Sequence, residues 1–160
     1  MWNLTGAAAR ECALLMYSKD MERLIIYTDG GARGNPGSAA VGVVIQDEAG
    51  KIVKELSEYI GETTNNQAEY EAVIRALRAA KKIFGERLRD MEVEMRMDSE
   101  LVARQLSGIY RVKDQGLKEQ FAKVAELRLE WVPNIAFVHV PRAKNARADL
   151  LVNECLDARL

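Results

Sequence analysis

The spacing of apolar residues changes period several times along the chain, and each change marks an element. LIIYT at 24–28 is a continuous apolar, β-branched run, which predicts a buried strand. Two further runs, 39–46 and 51–60, predict strands joined by the polar turn at 47–50. Past Thr64 the period becomes helical: Ala72, Val73, Ala76, Leu77, Ala80 and Phe84 form one stripe, with Glu71, Arg75, Arg78 and Lys82 opposite. Gly85 ends that helix as a C-terminal cap. Residues 91–97 alternate apolar and polar, as a strand with one wet face does. Ser99 is placed to cap a short helix reaching about Ser107, closed by Gly108. A longer helix over about 116–131 stops at Pro133, 135–140 predicts a fifth strand, and 145–157 a last helix. Three strands in series, then alternating helices and strands, predict an α/β fold: a five-stranded mixed sheet, three strands antiparallel and the others parallel, flanked by helices.

Composition changes this picture little. A chain of 160 residues suits one domain, and 48% apolar with 29% charged residues excludes disordered and fibrous classes. The 23 basic and 24 acidic residues nearly cancel, to −1. A nucleic-acid partner is neither advertised nor excluded by that total, because a local patch decides. No apolar run approaches the roughly 18 residues of a membrane span. MWNLTGAAARECALLMYSKD lacks the basic start and long apolar centre of a secretory signal, so a cytoplasmic protein is expected. Residues 7–17 suit a short helix and Met21 a domain start; the expected organisation is an extension over 1–20 and one domain over 21–160. Cys12 and Cys155 are too few for a disulfide framework or a zinc site, and free thiols suit a reducing compartment.

One acid breaks the helical pattern. Counting on from Glu69 by three and four gives Ala72 and Val73, so its carboxylate shares the core-facing stripe, where charge is costly to bury. Three other acids occupy comparable places. Asp29 ends the first strand and opens the glycine-rich loop DGGARGNPG, which lets backbone approach a ligand and equally suits an ordinary hairpin turn. It is not a Walker phosphate loop, since no GK[ST] follows. Asp98 ends the fourth strand in phase with Glu92, Glu94 and Arg96, as a solvated face would also place it. Asp149 falls in the first turns of the last helix, where the helix dipole favours any carboxylate. Parallel strands would bring Asp29 and Asp98 to one end of the sheet, under the helix starts holding Glu69 and Asp149. Carboxylates gathered so closely repel each other, and hard divalent cations relieve that repulsion. Two such ions form the usual clamp for phosphodiester hydrolysis.

Four stretches, YTDGGARGNPGSAAVGVVI, TNNQAEYEAVIRAL, MDSELVARQLSGIYRVK and HVPRAKNARADLLVNECLD, resemble the type 1 ribonucleases H in order and spacing, over residues 23–160. The resemblance implies a ribonuclease H-like fold and endonucleolytic cutting of the RNA strand of RNA/DNA hybrids, as in the removal of RNA primers and R-loops. Asp29, Glu69, Asp98 and Asp149 match the family's catalytic, metal-binding carboxylates. Two Mg²⁺ ions, replaceable by Mn²⁺, would act there and leave 5′-phosphate and 3′-hydroxyl ends. The implied partner is the hybrid alone, with no obligate protein partner and a monomeric enzyme. Asn35, Asn65 and Asn66 match positions that meet the minor groove, and Thr64 part of a pocket gripping a DNA-strand phosphate. Thr64 or Asn65 would cap the helix well in any protein.

The chain departs from better-known members twice. Its loop before the last acid, PRAKNARAD, is short and contains no histidine; the sole His139 falls in the fifth strand, as a structural residue would. Arg142, Lys144 or Arg147 stand where a cation could assist the leaving phosphate. A lysine-rich protrusion is missing, and Tyr110, Arg111 and Lys113 offer only a modest basic-aromatic patch, which suggests weaker hybrid affinity. Two other readings remain: a non-catalytic hybrid-binding module, against which four intact acids argue, and a nuclease preferring duplex RNA or DNA, which the same acids would serve.

Overall fold

The computed structural model describes residues 21–160. The proposed helix at 7–17, the extension over 1–20 and Cys12 therefore lie outside the described residues. Five strands, β1 (Arg23–Gly34), β2 (Gly37–Asp47), β3 (Ile52–Thr63), β4 (Glu92–Met97) and β5 (Ile135–His139), form one sheet in the order β3-β2-β1-β4-β5. β1, β2 and β3 are antiparallel neighbours, whereas β4 runs parallel to both β1 and β5. The helices are α1 (Asn65–Phe84), α2 (Glu100–Leu106), α3 (Gln115–Trp131) and α4 (Ala146–Asp157). No helix among the described residues is long and apolar enough to cross a membrane.

The sheet has two unequal faces because strand side chains alternate. Leu24, Ile26, Val43, Ile45, Val93 and Met95 join the stripes of α1, α2 and α3 in the main core. Tyr27, Ala40 and Val44 point the other way and meet Ala148, Leu151, Val152 and Leu156 of α4. Each Leu, Ile or Val so buried contributes roughly 1.5–3 kcal/mol. The stripe of α1 is wider than its spacing suggests: Ala68, Tyr70 and Ile74 are also buried. Tyr70 donates to Gln105 Oε1 (2.7 Å), tying α1 to α2 inside the core.

The helix ends follow the local sequence. Thr64 caps α1, accepting from the Gln67 amide, and the Gln67 side chain returns to the Thr64 amide. Gly85, at φ 59°, stops α1 as expected, its amide reaching the Lys81 carbonyl. Ser99 caps α2 through Val102, and Asp114 caps α3 through Leu117. On the charged face of α1, half-buried Arg75 bridges Glu71 (2.9 Å) and Glu58 of β3. Two expectations need correction. Asp29 does not end β1; the glycine stretch after it stays paired with β2 to Gly34↔Gly37, around a turn at Asn35 and Pro36. His139 closes β5 opposite Met97 and is exposed, not packed.

Candidate active site

β1 pairs with β4 only as far as Thr28↔Met97, although it continues along β2 for six more residues. From Asp29 onward no β4 backbone stands beside β1, and a cleft opens where the two parallel strands part. Chains leave on opposite sides of such a gap, β1 toward β2 and β4 toward α2, which is where open α/β sheets hold ligands. Asp29 is the first residue on one lip and Asp98, just beyond β4, the first on the other.

Helix starts close the cleft from both faces. Asp29 pairs with Gly42, so its side chain lies on the α4 face, where α4 carries Asp149. Gly30 faces α1 instead, and the α1 backbone at Ala68 and Glu69 rests directly on it. Gly42 does the same for Ala148 of α4. Only glycine permits such approach. These two contacts were missed from the sequence; for Gly42 the available signal was a glycine inside a strand run, and Gly30 carried none.

Carboxylate oxygens of Asp29, Glu69 and Asp98 all lie within 4.8 Å of one another. Asp29 is 6% exposed, and Glu69 Oε2 is buried without a hydrogen-bond partner. Asp149 stands outside this trio yet adjoins Asp29, and is 31% exposed. Arg142 Nη2 approaches its Oδ1 at 3.5 Å, but Arg142 is 78% exposed and the pair is loose. Arg142, Asn65 and Ser99 line the cleft with the acids. Lys144 and Arg147 line a separate small depression with Tyr27 and Gln46, and Arg147 pairs with Glu55 (2.8 Å).

The candidate substrate residues divide into two groups. Asn35 at the hairpin tip accepts from the Asn65 amide (3.1 Å), and Asn65 Oδ1 accepts from the Ala32 amide (2.9 Å), locking hairpin and helix start together. Thr64 is occupied as the cap of α1. Asn66 opens onto a neighbouring groove with Gln105, Tyr110, Arg111 and Lys113. Arg104 lies 5.4 Å over the exposed Tyr110 ring there.

Burial, reinforced by the charges of Asp98 and Asp149, pushes the Asp29 carboxyl up from 3.8 to about 7. Burial and the charge of Asp29 also hold Glu69 well above its ordinary range. A carboxyl whose folded pKa exceeds its unfolded value binds its proton more tightly when folded, so stability falls as pH rises between the two values. The metal-free protein should therefore lose stability between about pH 4 and pH 7, on the order of a few kcal/mol. Asp29→Asn removes the Asp29 share of that loss. With a chelator present, calorimetry should show the variant melting several degrees above the parent at pH 8 and much closer to it at pH 5. An equal difference at both pH values would count against an Asp29 carboxyl raised by burial and its neighbours' charges.

A set of acids that is unstable alone and converges on one point suits hard divalent cations. The residues present fit such ions: oxygen donors only, with one buried and unpartnered.

Residues 27–155 match the Reverse transcriptase-like family. Over 135 residues the chain is 47% identical to ribonuclease HI of Halobacterium salinarum, covering 84% of this chain and 65% of that protein. It spans 36% of mycobacterial relatives that are 37% identical. An RNase H1 isolated from compost by a metagenomic approach superposes with a TM-score of 0.83 at 63% identity, covering 87% of this chain and 99% of that one. The same compost protein has been solved in complex with an RNA/DNA hybrid (TM-score 0.82, 63% identity, 85% and 98% covered).

Proposed function

The chain belongs to the type 1 ribonucleases H, and from that premise we propose that it cuts the RNA strand of RNA/DNA hybrids endonucleolytically, leaving 5′-phosphate and 3′-hydroxyl ends. The observation that carries this reading is the convergence of Asp29, Glu69 and Asp98, one carboxylate oxygen of each within 4.8 Å of the others, with Glu69 also holding a buried, unpartnered oxygen. Those three acids, with Asp149 beside Asp29, would hold two Mg²⁺ or Mn²⁺ ions. When bound, such ions supply an activated water and stabilise charge on the leaving 3′ oxygen.

The protein's own part is to keep the acids fixed before substrate arrives. Strand and helix ends carry them, and Gly30 and Gly42 set the depth of the two helices. Burial strengthens every interaction within the cleft. Asn35, Asn65 and Asn66 would meet the minor groove, whose 2′-hydroxyls distinguish RNA from DNA. Thr64 would join a pocket for a DNA-strand phosphate, its hydroxyl exchanging its cap contacts with Gln67 for a phosphate oxygen. Arg142, exposed in the cleft and only loosely paired with Asp149, would be the cation available to assist the leaving phosphate.

The test is incubation with Mg²⁺ or Mn²⁺ and a labelled RNA/DNA hybrid, alongside duplex RNA, duplex DNA and single strands. Cleavage should be confined to the RNA of the hybrid and vanish in Asp29→Asn. Equal cutting of duplex DNA, or undiminished activity in Asp29→Asn, would overturn the reading.

A further inference from the structure

Among the few buried polar side chains, Asn145 takes no part in the chemistry described above. It is 1% exposed and lies where a short 3-10 turn, Arg142–Asn145, passes into α4. Its Nδ2 donates to the Thr28 carbonyl oxygen at 2.9 Å, a buried bond between segments 117 residues apart. Asn145 Oδ1 is buried too and has no partner among the described residues, so the Thr28 bond is the one polar contact that orients this amide. Space filling alone would favour an apolar side chain, because a buried amide left half-bonded is costly.

Both ends of the bond adjoin the acids. Thr28 is the last β1 residue paired with β4 and immediately precedes Asp29. Asn145 immediately precedes α4, and Asp149 lies in the first turn of that helix, four positions on. Asp29 of β1 and Asp149 of α4 adjoin each other, so the seating of the α4 start on β1 sets their separation. Ala148, seated on Gly42, resists displacement of α4 from the sheet. It does not stop the helix start from rolling along it. The bond from Asn145 to Thr28 supplies that second point of attachment.

We infer that Asn145 is a positioning residue, whose bond to the Thr28 carbonyl fixes the separation of Asp29 and Asp149 and so preforms the metal-binding set. This rests on the hybrid-cleavage reading for its kinetic arm only. Asn145→Leu keeps nearly the same volume and removes the donor. Its melting temperature, its kcat and KM on a labelled hybrid well below that temperature, and Mn²⁺ binding to the protein alone by titration calorimetry are measured beside the parent. In the folded variant kcat should fall at least about tenfold with KM within about twofold, and Mn²⁺ should bind about tenfold more weakly. Should the leucine variant fail to fold, Asn145→Ser, whose hydroxyl is too short to reach Thr28, carries the same measurements. Parental kcat and Mn²⁺ affinity in a folded variant, whatever the change in melting temperature, would overturn the assignment and leave Asn145 as packing. If the parent itself cuts no hybrid, the functional reading fails separately, and the calorimetry still decides the positioning role.

Discussion

Glu69→Gln is expected to lower kcat for hybrid cleavage about a thousandfold, while Glu71→Gln, two residues away on the same helix, changes it less than about twofold. The asymmetry follows from where the two carboxylates point. Glu69 sends a buried, unpartnered oxygen into the group formed with Asp29 and Asp98. On the proposed function, losing its charge would remove one donor from the ions, and three decades of rate correspond to about 4 kcal/mol, the scale on which a bound ion stabilises transition-state charge. Glu71 instead meets Arg75 at 2.9 Å on the half-exposed side of α1, and such pairs contribute about 1 kcal/mol or less. Stability should move the other way: Glu69→Gln relieves burial and repulsion, so the metal-free variant should melt above the parent. Steady-state kinetics on the purified pair, with calorimetry in chelator, checks all three statements. A Glu69→Gln enzyme retaining more than a tenth of the parental rate would sink the assignment.

Gly30→Ala should be severely damaging for a single added methyl. A Cβ there would come within 2.5 Å of the Glu69 amide nitrogen and closer still to the Ala68 carbonyl. These are backbone atoms of α1 and cannot swing aside as a side-chain tip would. Either the fold absorbs an overpacking cost of about 3 kcal/mol, or α1 lifts and carries Glu69 away from Asp29. For a domain of this size that cost is about 6–12 °C in melting temperature. Activity should fall beyond what the unfolded fraction explains, because the displaced element carries a ligand. Gly31→Ala is the control: its added methyl would sit 3.5 Å from Val152 Cγ1, ordinary contact distance, and should change the melting temperature by no more than about 2 °C. Calorimetry and cleavage assays on the two variants separate the positions. Equal losses from Gly30→Ala and Gly31→Ala would refute the close-approach argument.

The order of elements was legible because apolar spacing reports which face of each is buried, and the caps at Thr64, Ser99 and Gly85 sit where local chemistry puts them. The acids were legible for a different reason: Glu69 violated the pattern of its own helix, and the violation pointed at a site. What escaped was long-range. The glycine stretch after Asp29 lacks the side chains that announce a strand, yet pairing with β2 extends β1 through it, since ladder bonds need backbone only. Asp29 ends a strand only with respect to β4, a distinction invisible without the sheet order. The tie from Arg75 to Glu58 depends on β3 passing under α1. Asn145 lies in a polar loop whose composition reads as solvated, and only the tertiary fold buries it.

The exchange between Asn35 and Asn65 bears on what kind of nucleic acid the cleft would tolerate. Each side-chain oxygen is taken by a backbone amide, which also settles the orientation of both carboxamides, since an N–H group requires an acceptor. What remains free on each is an NH₂ group. In the minor groove A·T and T·A pairs present acceptors alone, and G·C pairs add a single donor to the same acceptors. Two pure donors held rigidly there find a partner at nearly every base step and discriminate poorly among them. The hairpin and helix start would thus grip a groove without reading its letters, as suits an enzyme that must work wherever a hybrid happens to form.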